Sequence, residues 1–154
     1  MRKRSAYRPK GIRPDAVAYV LSSIKPLSQV DDALTTLKIK NHGAMAAVTQ
    51  GHATRDDMDV LIASTNIAEA LALKGIGADY AEEIRAGQDA LKSLCARGVE
   101  RGDRFIFKAE EMQALNLAMD IHDAQLEAVT VKQLEQAVDF VRETIRLGKA
   151  RRIM

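Results

Sequence analysis

The sequence has little of what builds disulfide frameworks, aromatic cores or frequent turns. Its 154 residues include one cysteine, three prolines, nine glycines and no tryptophan, and aromatic residues make up 4%. Because Cys95 is alone, no disulfide can form within the chain, and we expect a reducing, cytoplasmic compartment and a buried structural thiol. No stretch approaches 18 uninterrupted apolar residues, so we expect no membrane-spanning helix.

The residues that are abundant favour one class of secondary structure. Ala, Leu, Met, Gln, Glu, Lys and Arg dominate the chain, and these are the good helix formers. A chain of this length matches one domain of common size, and it can bury enough surface to fold without a metal or a disulfide. The sequence therefore predicts an all-α fold, a bundle of four or five helices around an aliphatic core.

Apolar spacing and capping residues predict five helical segments. They run from Asp15 to Ile24, from Ser28 to Gly51, from Thr54 to Gly75, from Asp79 to Gly98, and from Ala109 to about Leu147. Ser28, Thr54 and Asp79 are the expected N-caps, and Gly51, Gly75 and Gly98 the expected ends. A break near residues 41–43 stays open, because Gly43 weakens a helix by about 1 kcal/mol relative to Ala.

The last predicted helix is longer than a domain of this size needs. Residues 109–147 contain no Gly or Pro, and about 39 helical residues would span roughly 58 Å. Either the helix breaks near Val129-Thr130-Val131, or its end projects and packs on another copy of the chain. The expected apolar stripe is Met112, Leu115, Met119, His122, Leu126, Val129, Gln133 or Leu134, Ala137, Val141 and Ile145. Before it, Phe105-Ile106-Phe107 is expected to be an extended segment whose rings plug one end of the bundle.

Charge is distributed very unevenly along the chain. Of 23 Lys and Arg, six lie in residues 1–13 and four in residues 146–154, where there is no acid. Residues 14–145 therefore contain 13 cations and 21 acids, a net charge near −8. We expect a basic N-terminal arm at 1–13, a helical bundle domain at 14–147 and a basic tail at 148–154.

The basic arms are the only feature with a plausible nucleic-acid chemistry. Lys and Arg pair with phosphates, and a tyrosine ring can stack on a base. The alternative is a solvated tail that adds charge or pairs with the acidic body. The candidate nucleic-acid-binding residues are Arg2, Lys3, Arg4, Tyr7, Arg8, Lys10, Arg13, Lys149, Arg151 and Arg152.

No histidine has the spacing of a helical metal site. Such a site places a Glu three residues before the His, but Ile39, Thr49 and Met119 stand before His42, His52 and His122. We expect no metal and no cofactor. His122 lies on the apolar stripe and is expected to be a buried or interface residue with a backbone or acidic partner.

No catalytic or nucleotide-binding motif is present. Gly75-Ile76-Gly77 lacks the third glycine of a dinucleotide loop, where Tyr80 stands, and is better explained as a helix-to-helix turn. The acids at 56, 57 and 59 lack the glycine and terminal Glu of a calcium loop and suit a helix start. The sequence therefore gives no support for an enzyme.

Three segments carry a resemblance to a known group. They are Met-Arg-Lys-Arg-Ser-Ala-Tyr-Arg-Pro-Lys-Gly at 1–11, Lys-Asn-His-Gly-Ala-Met at 40–45 and Ala-Arg-Arg-Ile at 150–153. Along most of its length the chain resembles small phage- and prophage-encoded proteins of proteobacteria. That group brings no activity to any residue, so the resemblance implies only a phage role in regulation, assembly or interference with a host machine.

Two functions follow as hypotheses. The first is a non-enzymatic, self-associating helical interaction protein with a protein partner, for example a phage regulator or an inhibitor of a host machine in the bacterial cytoplasm. The alternative is nucleic-acid binding through the two basic arms.

Overall fold

The computed structural model describes residues 21 and 23–149. Within them the chain forms five α-helices and two short 3-10 helices, without a strand. The helices are α1 (Ala33–Gln50), α2 (Arg55–Leu73), α3 (Ala81–Glu100), α4 (Ala109–Ala128) and α5 (Val131–Arg146), and the 3-10 helices are Leu27–Gln29 and Ala78–Tyr80. The predicted all-α bundle is confirmed. Most of the helix predicted from Asp15 to Ile24 and the boundary of the basic arm at residue 13 lie outside the described residues.

Helix α2 is the centre of the bundle and contacts each of the other four helices. It begins as the sequence predicted, because Thr54 and Asp57 form a capping box in which each side chain accepts a hydrogen bond from the other's backbone N–H. It also ends as predicted. Gly75 (φ +90°) lets the Ile76 N–H reach the Leu71 carbonyl at 2.9 Å, which closes the helix with a Schellman motif.

Two predicted N-caps are wrong. Ser28 lies inside the 3-10 helix Leu27–Gln29, and α1 begins only after Asp32, which has φ 54° and makes no side-chain cap. Asp79 lies inside the second 3-10 helix, so Tyr80 occupies the N-cap position of α3. In both places a 3-10 turn precedes the helix, and the N-cap lies four residues later than predicted at α1 and one residue later at α3.

The glycines decide two further predictions. Gly51 caps α1 with φ 79°, as expected, and α1 runs without a break through residues 41–43. Gly98 was expected to end α3, but α3 continues to Glu100. Gly98 lies inside the helix and packs against the Phe105 ring, which a Cβ at this position would meet at 2.2 Å. The missing side chain makes room for the ring that plugs this end of the bundle.

The long C-terminal helix breaks, which is the first of the two alternatives. Helix α4 ends at Ala128 and α5 begins at Val131, with Thr130 and Gln133 forming a capping box. Backbone hydrogen bonds hold this joint: the Leu27 N–H donates to the Val129 carbonyl at 2.9 Å, and the Val131 N–H to the Lys25 carbonyl at 3.0 Å. No overlong helix projects from the described bundle, so helix length no longer argues for self-association.

Among the described residues the hydrophobic core is aliphatic apart from one buried phenyl ring, that of Phe105, which is 2% exposed. Cys95 is fully buried beside it in the larger cluster, as expected. The predicted stripe is buried at Leu115, Met119, His122, Leu126, Val129 and Ala137, and half-buried at Met112, Leu134 and Val141. Ile145 is the exception, since it is 56% exposed.

Candidate interaction surfaces

The predicted nucleic-acid-binding residues fall almost entirely at the ends of the chain. Arg2, Lys3, Arg4, Tyr7, Arg8, Lys10, Arg13, Arg151 and Arg152 lie outside the described residues. Lys149 is described and exposed, and its backbone N–H donates to the Thr144 carbonyl at 3.0 Å. Nearby Arg146 makes a bidentate ion pair with Glu143. Lys149 is therefore the only one of the ten predicted residues that lies in the described part of the chain.

An open groove lies between α2, α3 and α5 and has a volume near 270 Å³. We call it the α5 groove. Its apolar rim is formed by Leu73, Phe140 and Ile145, which are 70%, 46% and 56% exposed. Three large apolar side chains that remain this exposed around one concavity form a surface suited to a protein contact.

The other side of the α5 groove is polar and carries both signs of charge. Gln88 is buried and donates to the Glu69 carboxylate at 2.6 Å and to Asn66 Oδ1 at 3.2 Å. Arg85 approaches Glu69 at 3.8 Å, and Lys149 stands on the rim. The groove therefore offers an apolar edge beside a carboxylate and two cations.

The groove exists because α5 is attached along one side only. It packs mainly on α2, and Ala137 is its one fully buried residue. Val141 and Leu134 are half-buried against the second core cluster, while Phe140 faces outward. A strongly amphipathic helix that buries a narrow stripe leaves the flanks of that stripe open.

A second, smaller cleft opens on the opposite flank of α5, between α1, α2, α4 and α5. Its volume is near 130 Å³. Its lining is mostly apolar but includes Lys40 and three buried polar side chains, Asn41, Ser64 and His122, with exposures of 5%, 4% and 2%. We call it the His122 cleft.

His122 is buried, as expected, but its partner is an amide rather than a backbone group or an acid. Its Nδ1 lies 3.3 Å from Gln125 Oε1. The Gln125 amide nitrogen donates to the carbonyls of Ala68 at 3.0 Å and Ile76 at 2.8 Å, which fixes the oxygen toward His122. Burial lowers the pKa of His122, so the imidazole is neutral at pH 7.

The remaining histidines and the cysteine offer little chemistry. His42 pairs with Asp123 at 2.6 Å, and His52 contacts Gln50 at 2.8 Å. Across the described residues no three His, Cys, Asp or Glu side chains are grouped closely enough to hold a metal ion. Burial raises the pKa of the Cys95 thiol to about 11, which makes it a poor nucleophile.

Sequence reasoning missed both concavities. The α5 groove is built from residues separated by more than 60 positions, and no local pattern links them. One signal was present: Phe140 is an apolar residue beside the predicted stripe of Ala137, Val141 and Ile145, so the apolar face of α5 is wider than one seam requires.

The geometry defines the class of protein as an all-α bundle with an open apolar groove. No family model, no curated protein and no solved structure matches the chain. In the part of the chain that the structure describes, no helix is long and apolar enough to cross a membrane.

Proposed function

We propose that this protein is a non-enzymatic interaction protein that self-associates through the α5 groove. The single observation that carries the proposal is the exposure of Leu73, Phe140 and Ile145 around one concavity. A second copy of the chain is the proposed occupant.

The charges on the groove support a second copy over a partner of one charge sign. A twofold interface joins the same patch on both subunits, so the patch must be complementary to itself. Glu69 and the cations Arg85 and Lys149 border the same groove. Across a twofold axis, the carboxylate of one copy therefore meets a cation of the other while the apolar rims pack together.

Light scattering at micromolar concentration tests the proposal. The intact chain should have a mass above the 16.9 kDa of one chain, and Phe140→Asp should reduce it to that value, because a desolvated carboxylate opposes an apolar contact. Leu117→Asp is the matched control: Leu117 is 49% exposed on α4, away from the groove, and Phe140 is 46% exposed. A chain that is monomeric at every concentration would remove the proposal. So would Phe140→Asp leaving the mass of an oligomer unchanged.

The wider role remains a proposal that rests on the resemblance to phage proteins. In that role the dimer acts in the bacterial cytoplasm as a regulator, or as an inhibitor of a host machine. A protein partner that co-purifies with the intact chain after nuclease treatment, and is lost with Phe140→Asp, would support it. Retention of the same partner by the variant would exclude the α5 groove as its binding surface.

Nucleic-acid binding by the terminal arms is the second candidate, favoured by the ten cations at the ends of the chain. Cations that neutralise phosphates release counterions, so about six contacts should give a slope of log K against log salt near −5. Deleting residues 1–13 and neutralising Arg151 and Arg152 should abolish binding, because the body is acidic. Salt-dependent binding that survives both changes would contradict this candidate.

A further inference from the structure

We propose that a cleft between α4 and the turn after α2 binds a small organic cation, an ammonium group on an apolar body of the size of tryptamine. The cleft has a volume near 390 Å³, which is larger than the α5 groove and the His122 cleft. We call it the Tyr80 cleft. It shares no lining residue with the α5 groove, so this site does not depend on self-association.

One wall of the Tyr80 cleft is the turn from Gly75 to Tyr80, and hydrogen bonds fix its shape. The Tyr80 N–H donates to the Gly77 carbonyl at 3.0 Å, which closes the 3-10 helix. The Gln125 amide nitrogen donates to the Ile76 carbonyl at 2.8 Å, which ties the turn to α4. Gln125 also packs directly against Gly77, where a Cβ would lie 3.0 Å from Gln125 Nε2. A ligand would therefore enter a cleft that is already formed, without the entropic cost of ordering its walls.

The opposite wall is α4, and it sets the size and polarity of the guest. Ala124 and Ala128 lie one turn apart on this wall, and their small side chains leave the space that a ligand would fill. Ile121 adds an apolar contact, and Tyr80, which is 52% exposed, adds an aromatic ring that favours an aromatic guest. An apolar cavity of roughly 150 Å³ in another protein admits benzene. About 390 Å³ therefore has room for a two-ring body with a short side chain.

The charge of the cleft selects a cation. Asp120 is the single charged residue of its lining, which contains no Lys, Arg or His, whereas the α5 groove carries both signs of charge. Asp120 is exposed, and its carboxylate forms no ion pair or hydrogen bond with another described residue. Residues 14–145 have a net charge near −8, so the surrounding field also attracts cations and repels anions. An ammonium group beside Asp120, with its apolar body against the isoleucines, satisfies both parts of the cleft.

Three indoles of similar size serve as probes: tryptamine, which is cationic at pH 7, tryptophol, which is neutral, and indole-3-acetate, which is anionic. Titration of the intact ¹⁵N-labelled protein should show tryptamine binding about fivefold more tightly than tryptophol, because solvent reaches the ion pair with Asp120 and limits its strength. Indole-3-acetate should bind most weakly. The amide resonances of Gly77, Ala124 and Ala128 should move. Asp120→Asn should remove the preference for tryptamine, while Asp139→Asn, on a helix that does not line the cleft, makes the same change in net charge and should keep it.

Ala124→Phe should abolish binding by filling the cleft, and Ala96→Phe is the matched control at an exposed alanine of α3 that lines none of the three concavities. Thermal unfolding of both variants checks that the fold is retained. Equal affinities for tryptamine and tryptophol, a preference that persists in Asp120→Asn, or unchanged binding in Ala124→Phe would overturn the proposal. So would a lack of tryptamine binding. If a peptide of residues 1–13 then moved the same amide resonances, the cleft would be a site for a basic protein segment instead.

Discussion

The α3–α4 pair and helix α5 are held in the bundle in different ways. Where α3 meets α4, the chain comes so close that a Cβ added at Gly87 would lie 2.5 Å from the Ala118 Cβ. Four leucines and methionines of this pair have no exposed surface, whereas Ala137 alone is fully buried on α5. Close backbone approach fixes one pair of helices, and a narrow contact leaves the other helix with free flanks.

The comparison distinguishes helix faces that are buried in the core from helix faces that stay exposed. The α3–α4 pair buries most of its large apolar residues in the core, with Val99 and Leu117 as the exposed exceptions. Helix α5 keeps Phe140 and Ile145 outside the core, and the α5 groove and the His122 cleft lie along its flanks. A surface available for binding is therefore expected beside the helix that contributes least to the core.

The strongest test of the comparison removes one aliphatic side chain from each region. Leu94 is fully buried on α3, so Leu94→Ala should lower the free energy of unfolding by about 3 kcal/mol through lost burial and a residual cavity. Ile145→Ala on α5 should change it by less than about 0.5 kcal/mol in the monomer. Urea denaturation at low protein concentration measures both. Similar losses for the two variants would show that α5 is as well packed as α3.

Alanine substitutions at two glycines test how closely α3 and α4 pack. Gly87→Ala should destabilise the protein by about 2 kcal/mol, because overpacking against Ala118 outweighs the helix propensity of alanine. Gly43→Ala on α1 meets nothing within 4 Å and should stabilise the protein by up to about 1 kcal/mol. Thermal unfolding should show shifts of opposite sign. If both variants gain stability, α3 and α4 are not in close contact at Gly87.

The smallest expected effect concerns an ion pair that belongs to the α3–α4 region. Arg97 donates to both oxygens of Glu111, at 2.7 and 2.6 Å, and also to the Ile106 carbonyl. Burial opposes the ionisation of Glu111, but the hydrogen bonds from Arg97 and from the Lys108 N–H outweigh it and lower the pKa of Glu111. The pair thereby holds the loop between the two helices.

Because the folded pKa of Glu111 is below its ordinary value of 4.5, this stabilisation is complete above that pH and is lost as pH falls through the folded value. Glu111→Gln should cost about 2 kcal/mol at pH 7, and its difference from the unchanged protein should shrink as the pH falls below 4.5. Glu143→Gln, from the exposed pair on α5, is the control: solvent screens this pair, so the loss of stability should be much smaller at every pH. A Glu111→Gln deficit that is constant across this range would contradict the argument.

Local sequence signals predicted the features that depend on few neighbouring residues. Thr54, Gly51 and Gly75 end or begin helices through their own backbone and side-chain geometry, so their roles follow from the sequence. Ser28 and Asp79 are also residue types that favour the N-cap position, yet each lies in a 3-10 turn and the helix starts after it. A capping residue caps a helix when its own backbone is extended, as at Thr54, and not when it lies inside a 3-10 turn.

The features that sequence did not predict depend on contacts between distant helices. The role of Gly98 depends on where the Phe105 ring packs, and the α5 groove and the His122 cleft depend on how α5 lies against α2. The burial of His122 followed from its place on the apolar stripe. The identity of its hydrogen-bond partner did not follow from the sequence, because Gln125 is oriented by carbonyls more than 45 residues away.

The joint between α4 and α5 also has a consequence for the order in which the chain folds. It is closed by two backbone hydrogen bonds, from the Leu27 N–H to the Val129 carbonyl and from the Val131 N–H to the Lys25 carbonyl, each joining residues about 100 positions apart. Closing so long a loop is entropically costly, and such contacts are rewarded only after both ends have been made. During synthesis, residues 25–27 must therefore wait until the ribosome has released α4 and the start of α5. Until then the surface on which α5 packs stays uncovered in the nascent bundle.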